Sequence, residues 1–184
     1  YVDAAFMAGI PGTTGGALKM NPGANGVSIW DFVQSVEVLT HFGIKWLKRE
    51  DFDIGYRSVS CKELGFMAFL SVNLKFELGC PLDAKKRIKL YLTQRNKVQP
   101  IGTYNCGCVF RNPAHESAGR LVDRLGLLGY QIGKARVSPI HGNFIENIDQ
   151  GATADHVKRL ITYVKQSVFE AYHIQLDLEV CVYE

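Results

Sequence analysis

Between positions 66 and 76 every second residue is apolar: Phe66, Ala68, Leu70, Val72, Leu74 and Phe76. Successive side chains of an extended chain point to opposite faces, so this period places all six on one side of a half-buried strand. A strand of that kind has to be part of a sheet. Residues 32–39 and 44–48 flank a turn at His41-Phe42-Gly43 and read as a β-hairpin. Residues 50–53 suggest a short helical turn. The helical period takes over further on. Pro81 opens a helix in which Ala84, Ile88, Tyr91, Leu92 and Arg95 keep i, i+4, i+7, i+8 spacing, with Pro100 beyond its end. Residues 117–125 read as a second helix stopped by Gly126. A third starts after Thr153, a good N-cap, and carries the stripe Val157, Leu160, Ile161, Val164 and Val168 as far as Tyr172. Residues 175–183 read as a closing strand. Strands and helices mix without regular β-α-β alternation, so the expected fold class is α+β. Residues 94–104 are the best candidate for a linker between two lobes.

Residues 1–26 differ from the rest. Gly9, Gly12, Gly15, Gly16, Gly23 and Gly26, with Pro11 and Pro22, read as a long ordered loop. At 47% apolar residues the 184-residue chain has enough for a sizeable core in one medium or two small domains. The net charge of +3 is spread over scattered Lys and Arg, which argues against a nucleic-acid partner. No apolar run approaches the roughly 18 residues that span a membrane, and no signal peptide is visible. The chain opens on Tyr1 rather than Met. Its five cysteines, Cys61, Cys80, Cys106, Cys108 and Cys181, are odd in number and show no framework, which fits a reducing, cytoplasmic compartment. Cys106 and Cys108 form a lone C-x-C with no second ligand pair, so no metal site is expected. Nothing in the sequence reports an oligomeric state.

Four segments carry residue types suited to chemistry. The first, residues 9–16, is Gly9-Ile10-Pro11-Gly12-Thr13-Thr14-Gly15-Gly16, and Asn21, Gly23 and Ala24 extend it. Glycines let a backbone approach a ligand, and successive N–H groups can converge on an anion or a ring edge. A tight structural loop explains the same residues. The second is Gly55-Tyr56-Arg57-Ser58. Arginine offers a permanent charge and a planar fork for a carboxylate or oxyanion, although an isolated arginine is usually a solvated surface group. The third is Gly107-Cys108-Val109-Phe110-Arg111-Asn112-Pro113, in which Cys108 is either an exposed thiol at a strand end or a small buried apolar group. Asn112 before Pro113 reads as a turn residue. The fourth is Leu176-Asp177-Leu178-Glu179-Val180. If the apolar residues face a core, Glu179 lies on the other side, as a functional or a merely solvated carboxylate.

Taken in order, GIPGTTGGA, YR-x-x-S, GCVFRNP and LDLEV resemble the UDP-N-acetylenolpyruvoylglucosamine reductase family. Residues 118–147 and 151–157 resemble its substrate domain nearly throughout. The resemblance implies an FAD- and NADPH-dependent oxidoreductase of peptidoglycan precursor synthesis, which reduces UDP-N-acetylglucosamine enolpyruvate. It implies that residues 1–97 are the remaining part of an FAD-binding domain, 98–174 a substrate-binding domain, and 175–184 a closing strand carrying Glu179. By the same resemblance, Arg57 and Glu179 flank the enolpyruvyl carboxylate and Cys108 is the proton donor. Residues 9–16, Asn21, Gly23 and Ala24 line the flavin. Tyr56, Arg95, Lys97 and Asn112 serve the substrate, the last three at its diphosphate. The charge of Arg57 favours a negative intermediate. An ionised Glu179 would oppose it, which leaves a protonated or an orienting role.

Three departures stand out. The family usually has serine where this chain has Cys108. A thiol titrates near roughly 8.5, far below a hydroxyl, so Cys108 is the stronger acid. Lys134 stands where the family commonly has a second glycine. The short spacing from Arg57 to Cys108 leaves little room for the tyrosine-bearing lid insertion of one subclass, which places the chain with the compact members. The family begins with a small lobe that supplies much of the FAD pyrophosphate and adenine site, and Tyr1 starts just before the GIPG segment. The alternative reading is therefore a non-catalytic UDP-sugar-binding or structural fragment.

Overall fold

The structure, a computed structural model, describes residues 1–183. Glu184, the last residue of the expected closing strand, lies outside them. The chain divides into two compact units, Tyr1–Gln94 and Arg95–Glu184. Helices and strands mix in both, and the fold class is α+β.

The first unit contains α1 (Thr14–Met20), β1 (Gly23–Ala24), β2 (Val27–Ser28), β3 (Val33–Thr40), β4 (Gly43–Lys48), β5 (Phe52–Gly55), β6 (Ser58–Cys61), β7 (Phe66–Leu74) and most of α2 (Pro81–Val98). The glycine-rich start is therefore not loop throughout. Thr13 caps α1, its Oγ1 accepting from Gly16 N at 3.1 Å, so Gly15 and Gly16 are helical. Asn21 ends the helix in the left-handed region. Trp30 is fully buried and donates from its indole N–H to the Leu18 carbonyl at 2.8 Å, satisfying one of the acceptors a helix end leaves open. Its ring lies 4.8 Å from Phe52 and 6.3 Å from Phe69. The expected hairpin is β3–β4, and the order of its antiparallel sheet is β4-β3-β7.

The alternation along β7 is broken. Glu37 pairs with Ser71 and Val38 with Phe69, which leaves Leu70 as an extra residue. Leu39 pairs with Ala68 and Thr40 with Phe66, which leaves Met67 over. Each extra residue reverses which side chains face the core. Phe69 turns inward, and Leu70, expected on the buried face, is 47% exposed. Phe76 lies past the strand end, against Phe32 at 4.9 Å. The period in α2 misled in another way: none of its residues is buried. The helix also continues to Val98, into the stretch read as a linker, and the division between units falls within it.

The second unit contains β8 (Asn105–Cys108), α3 (Ala118–Arg124), β9 (Gln131–Ile132), β10 (Ala135–Val137), β11 (Phe144–Asn147) and α4 (Ala154–Tyr172). Its antiparallel sheet has the order β8-β11-β10-β9. Both helices start close to where they were expected. Thr153 caps α4, accepting from His156 N at 3.2 Å, and Leu160, Ile161, Val164 and Val168 are buried against Val109, Phe110, Leu121, Val137 and Ile145. The closing strand at 175–184 is not formed among the described residues. In its place is a single antiparallel bridge, Phe110 to Leu178. Leu176 is nevertheless buried in the core. No helix of the described residues is long and apolar enough to cross a membrane.

Candidate functional site

In the first unit, Tyr56 and Arg57 are the two residues of the β5–β6 turn, with Gly55 paired to Ser58. Arg57 has φ 52°, left-handed backbone that costs an L-residue with a β-carbon roughly 1–2 kcal/mol. Its guanidinium lies over the Tyr56 ring, 5.2 Å from the centroid. Glycine or asparagine would sit more easily at such a turn. Asn21 connects this turn to the glycine-rich segment, its Nδ2 donating to the Gly55 carbonyl at 3.2 Å. The Oδ1 of Asn21 is buried and has no hydrogen-bond partner among the described residues. Gly9 and Gly12 have φ 78° and 127°, so only glycine fits the segment there without strain. Gly23 and Ala24 form β1.

In the second unit, Cys108 ends β8 opposite Phe144 of β11. It follows Gly107, at φ 82°, and is half-buried. The next peptide is a junction. Val109 N donates to the Asn143 carbonyl at 2.9 Å, and the Val109 carbonyl accepts from Glu179 N at 2.8 Å. Arg111 N donates to the Asp177 carbonyl at 2.9 Å. The backbones of Cys108 and Glu179, far apart in sequence, are thus tied through one residue. Asn112 holds a helix start in place. Its Oδ1 accepts from Ala118 N at 3.0 Å and caps α3, where Ser117 makes no side-chain bond. Arg95 and Lys97 occupy the last turn of α2. The Arg95 Nε is buried without a partner among the described residues, as is the Gln99 Oε1. Lys134 pairs with Asp149 at 3.0 Å; both are exposed, so the pair contributes little to stability.

Residues 99–183 match a family model described as UDP-N-acetylenolpyruvoylglucosamine reductase, C-terminal domain. Proteins named UDP-N-acetylenolpyruvoylglucosamine reductase match almost the whole chain. The one from Coxiella burnetii is 47% identical over 180 residues, which is 97% of this chain and 56% of that protein. The chain is thus similar to UDP-N-acetylenolpyruvoylglucosamine reductases almost throughout, and residues 99–183 match the C-terminal domain of that family. The protein of that name from Legionella pneumophila is 43% identical over 95% of this chain and 56% of its own length. The crystal structure of UDP-N-acetylenolpyruvylglucosamine reductase from Thermus caldophilus is similar with a TM-score of 0.85. It is 32% identical and covers 98% of this chain, which covers 64% of it. The chain therefore spans a little over half the length of the curated relatives it matches.

Sequence reasoning missed the groups that hold this part of the reductase-like domain together. Asn143 is buried, and its side chain bonds both the N–H and the C=O of Phe110, each at 2.8 Å. Glu146 is also buried and pairs with Arg136 at 2.7 Å across β10–β11. In the sequence, Asn143 looks like a turn residue after Gly142, and only its place before the apolar Phe144-Ile145 hinted at burial. The Nδ1 of His141 accepts from Asn143 N at 3.1 Å, and its ring meets Phe144 edge-on at 4.9 Å. Burial holds the His141 pKa below the ordinary histidine value. The unfolded chain then binds the proton more readily than the folded one. Stability should be full above about pH 6.5 and fall as the pH drops through the folded value. Urea unfolding at about pH 7.5 and about pH 5.5 checks this. Part of the acid loss should vanish in His141→Gln, and an unchanged loss would count against a neutral, partly buried imidazole.

Proposed function

We propose that the protein acts in the FAD- and NADPH-dependent reduction of UDP-N-acetylglucosamine enolpyruvate to UDP-N-acetylmuramate, a step of cytoplasmic peptidoglycan precursor synthesis. The observation that carries this reading is the Val109 junction, which ties the backbone after Cys108 to that of Glu179. Residues 1–97 serve the flavin and residues 98–174 the substrate. The orphaned, buried Oδ1 of Asn21 and the two left-handed glycines fit a flavin lined by residues 9–16, Asn21, Gly23 and Ala24. Bound FAD supplies a two-electron carrier between NADPH and the enolpyruvyl double bond.

The remaining chemistry belongs to side chains of this chain. Arg57 binds the substrate carboxylate and favours the negative charge that builds up on reduction. Cys108 gives its proton to the enolate carbon, a transfer suited to a thiol, which is a stronger acid than a hydroxyl. Glu179 lies beside the substrate carboxylate, as a hydrogen-bond donor to it or as a group that orients its neighbours. Arg95 brings a buried, unpaired donor and Lys97 a charge toward the diphosphate, with Asn112 holding the start of α3.

An absorption spectrum of the purified chain, taken after incubation with FAD and removal of free dye, tests the flavin assignment. Retained flavin bands, followed by NADPH oxidation that depends on the enolpyruvyl substrate, would support the assignment. A colourless chain would leave a UDP-sugar-binding piece without its own flavin site. Flavin retention without substrate-dependent NADPH oxidation would overturn the reaction assigned.

A further inference from the structure

We infer that Asn143 is the positioning residue for Cys108: its side-chain amide extends the β11 side of the ladder past β8 and fixes where β8 delivers the thiol. This rests on the reading of Cys108 as the proton donor. β8 is an edge strand whose one neighbour in the sheet, among the described residues, is β11. The pairing is irregular, with Phe144 opposite Cys108 but Glu146 opposite Asn105, so β8 carries an extra residue before the cysteine. A bulged edge is a poor place to hold a reactive group, because an edge has partners on one side only.

The residues after Cys108 remove that freedom. On one side, Asn143 supplies three bonds. Its carbonyl accepts from Val109 N, its Oδ1 accepts from Phe110 N, and its Nδ2 donates to the Phe110 carbonyl. One primary amide thus reproduces the donor and acceptor pair that a peptide of an adjacent strand would present. On the other side, Glu179 N donates to the Val109 carbonyl and Arg111 N to the Asp177 carbonyl. The Val109–Phe110 backbone is clamped from both sides within one residue of the thiol. Asn143 is only 3% exposed, so water cannot replace the bonds it makes. Its own backbone is held by His141 Nδ1. Without the amide, β8 is free to fray from its end, and Cys108 frays with it.

The test reads the thiol itself. Alkylation of the purified chain by iodoacetamide, followed by peptide mass spectrometry, gives the rates at Cys108 and at the exposed Cys106 in the same digest. Cys106 is already exposed and serves as the reference for reagent and pH, and a destabilised variant controls for general unfolding. In Asn143→Leu, which loses both side-chain bonds, the Cys108:Cys106 ratio should rise about ten-fold or more. Asn143→Asp keeps the acceptor and loses the donor, and should move the ratio in the same direction by less. Val168→Ala, a cavity in the buried stripe of α4, lowers stability without touching the clamp and should raise the ratio far less than Asn143→Leu does. An unchanged ratio in both Asn143 variants, or an equal rise in Val168→Ala, overturns the inference. The proton-donor reading fails separately, if Cys108→Ala retains turnover, and that result leaves the alkylation ratios as they are.

Discussion

Cys108→Ala should lower turnover of the flavin-loaded protein by about 10²- to 10⁴-fold, the usual weight of a positioned general acid. Cys108→Ser should keep much of the activity and lose sensitivity to thiol reagents. The contrast follows from what each side chain can give. Alanine has no proton to transfer, whereas serine has one but is a weaker acid than a thiol. The loss should not reflect unfolding. Cys108 is half-buried, and the bonds that hold its surroundings run through the backbones of Val109, Phe110 and Arg111. Removing one sulfur leaves them intact. Substrate-dependent NADPH oxidation measures the effect, and a fully active Cys108→Ala would falsify the role.

The second large effect is on stability. Gly142→Ala should destabilise the protein by about 3 kcal/mol, at the upper end of what overpacking usually costs. A β-carbon on Gly142 would lie 2.5 Å from the Gly119 carbonyl oxygen and 3.0 Å from the Val122 Cβ. The first of these is backbone in α3 and cannot swing aside. The helix would have to back away from the loop at residues 141–143, where Asn143 is anchored. Gly119→Ala makes a similar approach from the other side, 2.8 Å from the His141 Cε1, but there a side-chain ring can give way. Its cost should be smaller. Urea midpoints of the two variants decide the matter: equal midpoints, or a Gly142→Ala as stable as the parent, would mean that α3 and this loop are not packed so closely.

What could be read in advance depended on length and period. α4 is long and has one buried stripe, so spacing alone located both its face and its cap. The β3–β4 hairpin was legible because a short turn separates two apolar runs. β9, β10 and β11 were not, since stretches of two to four residues are too short to express a period. In β7 the period was real, but two bulges redirected it, and Phe69 took the place expected for Leu70. α2 shows the opposite error, a helical spacing with no residue buried beneath it. For the site, Arg57, Cys108 and Glu179 came from ordered motifs resembling a family, because a charged or thiol side chain has no period of its own. Asn143 was invisible for a related reason. Its value lies in the peptide it faces, and that peptide is 33 residues away along the chain.

That separation bears on how the second unit folds. α4 is a long helix that can begin to form from neighbouring residues, but the Val109 junction needs three distant segments to meet. Closing long loops is slow relative to helix formation, because chain entropy is lost before any contact repays it. A refolding population should therefore pass through molecules that have regained part of the far-ultraviolet helix signal while the thiol at Cys108 is still unprotected. During that interval, oxidation or alkylation at Cys108 competes with completion of the fold.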